Sequence, residues 1–259
     1  MHRLPLLTHW PEYAMEGALL GLFMVSASFC TALLEHPDSL VRLAIPNRHF
    51  RRALVGLGMG LTAVALIYSP WGQQSGAHFN PATTLTFLWL GKIKPWDAGF
   101  YIGAQFLGGT LGILIARMLL AEKLTHPAVS YVVTVPGSGG ATIAFVAEVA
   151  LSCGMMSMVL WTSNAPALSP YTGLFAGLLV FLYITLEAPL SGMSINPART
   201  FASALPSGIW TAGWLYFAAP TVGMLLAAQI YTASAGVGRV GCPKLDHHTQ
   251  RRCIFCERP

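Results

Sequence analysis

Charge is what this chain lacks. Only 10% of its 259 residues are Asp, Glu, Lys or Arg, against about 25% in an ordinary soluble domain, while 54% are hydrophobic. Such a chain cannot cover a water-facing surface with charge, so its natural solvent is lipid. The net charge of +5 is spread thinly, with no long basic block. That excludes a nucleic-acid partner and leaves anchoring at membrane faces. No carboxylate pair, nucleophile with base or phosphate loop stands outside the apolar segments, so nothing points to an enzyme. No Asn-x-Ser/Thr acceptor occurs. The apolar stretch from Gly17 to Leu34 is followed by further membrane-length stretches rather than a small-x-small site, so no cleaved export signal is expected. Cys30 and Cys153 stand alone in apolar runs, where small core fillers are the rule.

Apolar stretches near the ~20 residues that span a bilayer run over 14–34, 53–69, 98–121, 142–162, 171–188 and 211–234. Two more, beginning at Asn80 ("NPATTLTFLWLG") and Asn196 ("NPARTFASAL"), are too short to span. Each falls between the second and third span of its half. Short, Gly/Pro-interrupted segments at corresponding places in two halves point to an internal repeat with a site at the membrane midplane. Three spans is an odd number, so the halves must be inverted. The predicted organisation is a tail over 1–13, one repeat over 14–125, a second over 126–236 and a tail over 237–259.

The repeat extends to detail. "SGAHFNPATT" (75–84) returns as "SGMSINPART" (191–200). Glu16 in the first span is answered by Glu148 in the fourth. A carboxylate inside an apolar span costs several kcal/mol unless partnered, so both are read as buried acceptors for loop N–H groups. Proline at a first helical position sacrifices no bond, and asparagine before it is a strong cap. Asn80-Pro81-Ala82 and Asn196-Pro197-Ala198 therefore each open a helix, and the small alanines let two such ends meet. Each end carries roughly +0.5 charge, so a cation between them meets a barrier while water receives hydrogen bonds from both asparagines. The residues before each motif, Gly76-Ala77-His78 and Gly192-Met193-Ser194, are expected to be non-helical and to offer carbonyls, which is allowed at this depth only beside a water-filled path or inside protein. His78 reads as a loop-packing hydrogen bond, a pH gate being the alternative. Gln105 reads as an interhelical bond, and Gly103, Gly108, Gly109 and Gly112 as close helix packing.

On the paired Asn-Pro-Ala motifs, "GAHFNPA", "NPAR", Glu16, Glu148 and the six-plus-two count, residues 12 to 234 resemble the aquaporin (major intrinsic protein) family. The resemblance implies an all-α membrane protein of six transmembrane helices plus two re-entrant half-helices in an inverted 3+3 repeat. It implies a homotetramer in the lipid bilayer of the cell membrane, multi-pass, with both termini cytoplasmic. Lys and Arg divide eight against seven between the faces, so charge gives no orientation. The implied function is a channel for passive, proton-excluding permeation of water and small neutral solutes, with no cofactor required. Arg199, too costly at mid-membrane for a casual position, belongs by resemblance to the narrow filter with Met59, Ile184 and Met193. Gly60 is an alternative to Met59, because the loop "SPWGQQSGAH" after the second span is one residue longer than usual. Water-selective members have histidine where Ile184 stands; glycerol-conducting members have Asp at Thr200 and a basic residue at Ala204, and water-type members have aromatics at Tyr216-Phe217. These cues favour water, with a glycerol, hydrogen peroxide or ammonia facilitator as the alternative. A secondary transporter with inverted repeats is the rival, and would need coupling-ion ligands among Glu16, Glu148 and Glu187.

The tail, "GCPKLDHHTQRRCIFCERP", holds three of the five cysteines. Cys253 and Cys256 form a C-x2-C pair, with Cys242, His247 and His248 upstream. Such a mixture supplies four tetrahedral ligands to zinc or another soft metal. A disordered tail and a redox-active or inert reduced pair stay open.

Overall fold

The computed structural model describes residues 5–256; the outer ends of the two expected tails, 1–4 and 257–259, lie outside the described residues. Eight principal helices follow in order: α1 (Pro5–Glu35), α2 (Arg48–Tyr68), α3 (Pro81–Trp89), α4 (Pro95–Leu120), α5 (Gly140–Ser163), α6 (Thr172–Leu186), α7 (Pro197–Ser207) and α8 (Leu215–Ala235). Six of these segments are long and apolar enough to cross a membrane. The short α3 and α7 are the two expected half-helices. Leu107, Met118 and Val146 are exposed at 63%, 74% and 62%, as side chains facing lipid or another subunit are.

Boundaries depart from expectation at both ends. α1 starts well before residue 14 and runs through Pro11, giving up the one backbone bond a proline cannot donate. Glu12, which reads as tail, is fully buried and accepts from Gln74 Nε2 at 3.0 Å. The sixth span begins at Leu215 rather than 211, after a turn in which Ala212 adopts φ 48°.

Packing follows the repeat. α1 lies along α4, α8 along α5, and α2 pairs with α6 across the halves. The first of these contacts is backbone on backbone. A Cβ on Gly108 would stand 2.0 Å from the Gly17 carbonyl oxygen, and one on Gly112 2.3 Å from that of Gly21. Gly109 likewise abuts Leu20 and Ala202, whereas a Cβ on Gly103 would meet nothing within 4 Å among the described residues, so the close packing expected of it is not with another helix of the same chain.

The basic first loop is tied down by its own charges. Arg51 makes a two-point contact with Glu35 at 3.2 and 3.0 Å and donates to the carbonyls of Ile45 and Pro46. Arg52 reaches across to the Thr185 carbonyl at 2.8 Å.

Candidate functional site

Both loops before the half-helices have the same unusual backbone. Gly76, Ala77 and Phe79 have φ of 104°, 57° and 29°, and Gly192, Met193 and Ile195 have 82°, 52° and 46°. Non-glycine residues held at positive φ cost about 1–3 kcal/mol each and persist only when over-determined. Here a buried glutamate does that in each half. Glu16 accepts from Ser75 Oγ (2.8 Å), His78 N (3.0 Å) and Phe79 N (2.6 Å). Glu148 accepts from Ser191 Oγ (2.7 Å), Ser194 N (2.7 Å) and Ile195 N (2.6 Å). Both carboxylates are thus used up as loop acceptors.

Two tyrosines complete the frame. Tyr101 Oη donates to the Ser75 carbonyl at 2.8 Å, and Tyr216 Oη to the Ser191 carbonyl at 2.5 Å. Neither was legible as part of the site, although their matching places on the third and sixth spans are a signal the repeat itself carries. Tyr101→Phe is expected to cost about 1 kcal/mol, the net worth of one buried hydrogen bond, read as a small fall in melting temperature.

The half-helices meet end to end. Asn80 Oδ1 accepts from Ala82 N at 2.9 Å, and Asn196 Oδ1 from Ala198 N and Arg199 N at 3.1 and 3.2 Å. Ala82 and Ala198 are wholly buried where the ends abut, and Pro81 and Pro197 open their helices at buried positions. The asparagine amides then cross over. Asn80 Nδ2 donates to the Ile195 carbonyl and Asn196 Nδ2 to the Phe79 carbonyl, both at 2.8 Å. One N–H of each is spent on this exchange, and the other remains for a molecule between them.

Both asparagines line a cavity of about 450 Å³. It runs from Glu35, Arg48 and Arg52 at one end, past Met59, Ile184, Met193 and Arg199, to Ile67 and Leu245 at the other. Of the expected filter set, all four line it. Gly60 does not: a Cβ there would stand 2.5 Å from the Gly177 carbonyl oxygen, which assigns Gly60 to the contact between α2 and α6. Arg199 Nη1 is buried with no hydrogen-bond partner among the described residues. Ala77, His78, Gly192 and Ser194 also line the cavity; Glu16, Glu148 and Glu187 do not.

Gly76 corrects the expected carbonyl run. It is not on the cavity wall, and its carbonyl accepts from Leu245 N of the C-terminal tail at 3.1 Å. His78, likewise, places Nε2 2.8 Å from the Pro243 carbonyl and Nδ1 3.1 Å from Thr84 Oγ1. It is a packing residue beneath the tail. Gln105 bonds Glu16 and Thr84 at 2.9 and 3.2 Å, as an interhelical contact should.

The tail itself is folded. Cys242, His247, Cys253 and Cys256 bring one ligand atom each into a single cluster. His248 does not join it: its ring bonds Ser169 Oγ at 2.6 Å, on the opposite side of the turn. The hydrogen bond between Cys242 and Cys253 holds the Cys253 thiol well below the ordinary range and pushes Cys242 up.

Residues 15–231 match the family model described as "Major intrinsic protein". Among similar proteins, a putative aquaporin, NIP4-1, of Arabidopsis thaliana is 35% identical over 175 residues, 66% of this chain and 59% of that protein. Aquaporin NIP1-1 of Zea mays is 34% identical over 216 residues, covering 82% and 71%. Probable aquaporin TIP4-1 of Oryza sativa subsp. japonica is 32% identical over 202 residues, covering 75% and 77%. For the first relatives the matched part spans only 59% and 61% of their length. In fold the chain is similar to the X-ray structure of an aquaglyceroporin from Plasmodium falciparum, with a TM-score of 0.74 at 20% identity over 86% of this chain and 95% of that one.

Proposed function

Given that the chain belongs to the major intrinsic protein family, by a match across residues 15–231, we propose that it is a membrane channel for passive, proton-excluding permeation of water and small neutral solutes. The observation that carries the reading is the pair of asparagines lining one cavity from the abutting ends of α3 and α7. A water between them accepts from both amides and faces the positive ends of two helices, so a proton or other cation meets a barrier.

The filter is Met59, Ile184, Met193 and Arg199. One guanidinium faces three apolar side chains, so a solute there has a single strong donor and a wall without polar demands. That suits water and also a small molecule with one apolar side. Methionines fill such space adaptably. The rival transporter reading has little left, because Glu16 and Glu148 are taken up by loop donors and none of Glu16, Glu148 and Glu187 lines the cavity. The assembly is a homotetramer in the cell membrane with cytoplasmic termini, on the family's pattern. No catalytic step and no required cofactor belong to this reading.

Stopped-flow light scattering on proteoliposomes in metal-free buffer tests it, first under a sucrose gradient and then under glycerol. Shrinkage in sucrose should be far faster than in empty vesicles. Ile184→His adds a second donor and narrows the wall, and is expected to slow any glycerol re-swelling about tenfold, the scale of one pocket contact, with water flow little changed. Permeability equal to empty vesicles in both gradients would sink the channel reading.

A further inference from the structure

Four tail residues, Cys242, His247, Cys253 and Cys256, bring their ligand atoms within 4.8 Å of one another. Cys242 Sγ lies 3.5 Å from Cys253 Sγ, and Cys256 Sγ lies 3.5 Å from His247 Nε2. A tetrahedral zinc ion, with bonds of about 2.3 Å to sulfur and about 2.0 Å to nitrogen, sets its ligand atoms roughly 3.5–3.8 Å apart. A disulfide needs about 2.0 Å, whereas the Cys242 and Cys253 sulfurs stand 3.5 Å apart. The cluster therefore has the dimensions of a metal site and not of a cross-link.

What lies inside the loop that these ligands close gives the site its consequence. Pro243, Leu245 and Phe255 are among the tail's contacts with the rest of the chain, and they lie closest to the cavity. The Pro243 carbonyl accepts from His78 Nε2, and Leu245 N donates to the Gly76 carbonyl. The Leu245 side chain lines the end of the cavity. The Phe255 ring stacks parallel on His78, with centroids 6.1 Å apart. We propose that Cys242, His247, Cys253 and Cys256 bind one Zn²⁺ tetrahedrally, and that the loaded tail is a cap that closes the channel entrance beside Gly76 and His78. The cap rests on the channel reading above; the metal site does not.

On binding, the three thiols release their protons to solvent and the histidine stays neutral, so the loaded site carries one net negative charge. Lys244, buried between the ligands, offsets it. Its Nζ donates to the carbonyls of Gln73 and Arg252 at 2.9 and 2.7 Å, tying the site to the segment between α2 and α3. Arg252 in turn donates to the Thr8 carbonyl at 2.7 Å. The tail has no long helix; it is held by side chains seated on the core, Leu245 and Ile254 among them, and by polar contacts to Gln73, Thr8 and Ser169, and metal binding adds its free energy to this folded state. Loaded protein is capped; stripped protein is open. The exposure of Cys256 gives the ion a way in and out.

The full chain in detergent, titrated with Co²⁺, should take up one ion per chain with thiolate charge-transfer and strong visible bands of a tetrahedral site. Cys256→Ser, at the exposed ligand, should weaken uptake by about 100-fold or more, beyond the 10–100-fold typical of outer-shell changes. In proteoliposomes, zinc-saturated protein should pass water slowly. A membrane-permeant chelator should raise the rate several-fold, added Zn²⁺ should reverse it, and Cys256→Ser and Phe255→Ala should be fast in zinc. Absence of the tetrahedral bands, or bands unchanged in Cys256→Ser, overturns the site. Equal rates for loaded and stripped wild type, both well above empty vesicles, overturn the cap. Rates at the empty-vesicle level in every state and variant overturn the channel reading and the cap with it, while the cobalt bands still decide the metal site.

Discussion

Glu16→Gln, an exchange of one oxygen for nitrogen in a side chain of the same shape, is expected to cripple the protein. Each Glu16 oxygen accepts twice: Oε1 from Ser75 Oγ and His78 N, Oε2 from Phe79 N and Gln105 Nε2. Whichever way the new amide turns, its NH2 faces a fixed backbone N–H, of His78 or Phe79, beside a side chain that must turn to accept, so two donors oppose each other unpaired. Each buried donor left unpaired costs about 1–3 kcal/mol, so the total is roughly 2–6 kcal/mol against a stability that is itself about 5–15 kcal/mol in ordinary domains. The positive φ of Ala77 and Phe79 also loses its restraint. A thermal melt in detergent should fall by about 5–15 °C, at roughly 2–4 °C per kcal/mol, and water permeability should drop to near the empty-vesicle level. Glu148→Gln should be milder, because among the described residues its Oε2 holds only Ile195 N, and the turned amide need oppose only that one donor. An equal fall for the two variants would contradict this account of the asymmetry.

Gly112→Ala is expected to be far more damaging than the addition of one methyl usually is. Its methyl would stand 2.3, 2.7 and 2.8 Å from the oxygen, Cα and carbonyl carbon of Gly21. Overpacking against side chains costs about 1–3 kcal/mol because they can move. Here backbone meets backbone, so α1 and α4 must separate along their length, and the cost is expected to exceed about 3 kcal/mol. The matched control is Gly99→Ala on the same helix, where nothing lies within 4 Å and the better helix former should gain up to about 1 kcal/mol. Denaturation in increasing detergent denaturant separates the two. Melting of Gly112→Ala with wild type would remove the close approach from the list of what holds α1 to α4.

Much of the site was legible because it is written twice. The Ser-Gly frame, the asparagine caps and the two glutamates recur at matching places, and a local rule, helix capping, turns them into geometry. The cavity-lining set of Met59, Ile184, Met193 and Arg199 came from counting along those motifs. What stayed hidden depends on contacts far apart in sequence. Tyr101 and Tyr216 act on carbonyls 26 and 25 positions away, and only their matching places in the two repeats, not their local sequence, mark that. The start of α1 was hidden because residues 5–13 carry polar side chains and Pro11, while the helix runs through them with Glu12 and Tyr13 buried. Whether the tail is ordered stayed open in the sequence, because its contacts are with Gln73, Gly76 and His78 and no periodicity of its own marks them. His247 and His248 are neighbours in the sequence, but the turn sends one into the thiol cluster and the other to Ser169. Gly76 was assigned to the cavity from its place in the repeat, and lost it to the one part of the chain that has no repeat.

The crossed amides at the centre also bear on how the molecule is made. Asn80 satisfies its amide on the carbonyl of Ile195, and Asn196 on that of Phe79, so neither loop can complete its bonding alone. While the ribosome has delivered only the first half, the acceptor for Asn80 has not yet been synthesised. The early half must wait with a polar group unsettled, and the centre closes only as the second half arrives. A chain interrupted between α4 and α5 would leave two fragments that each need the other, and co-expression of those fragments would restore what neither holds by itself.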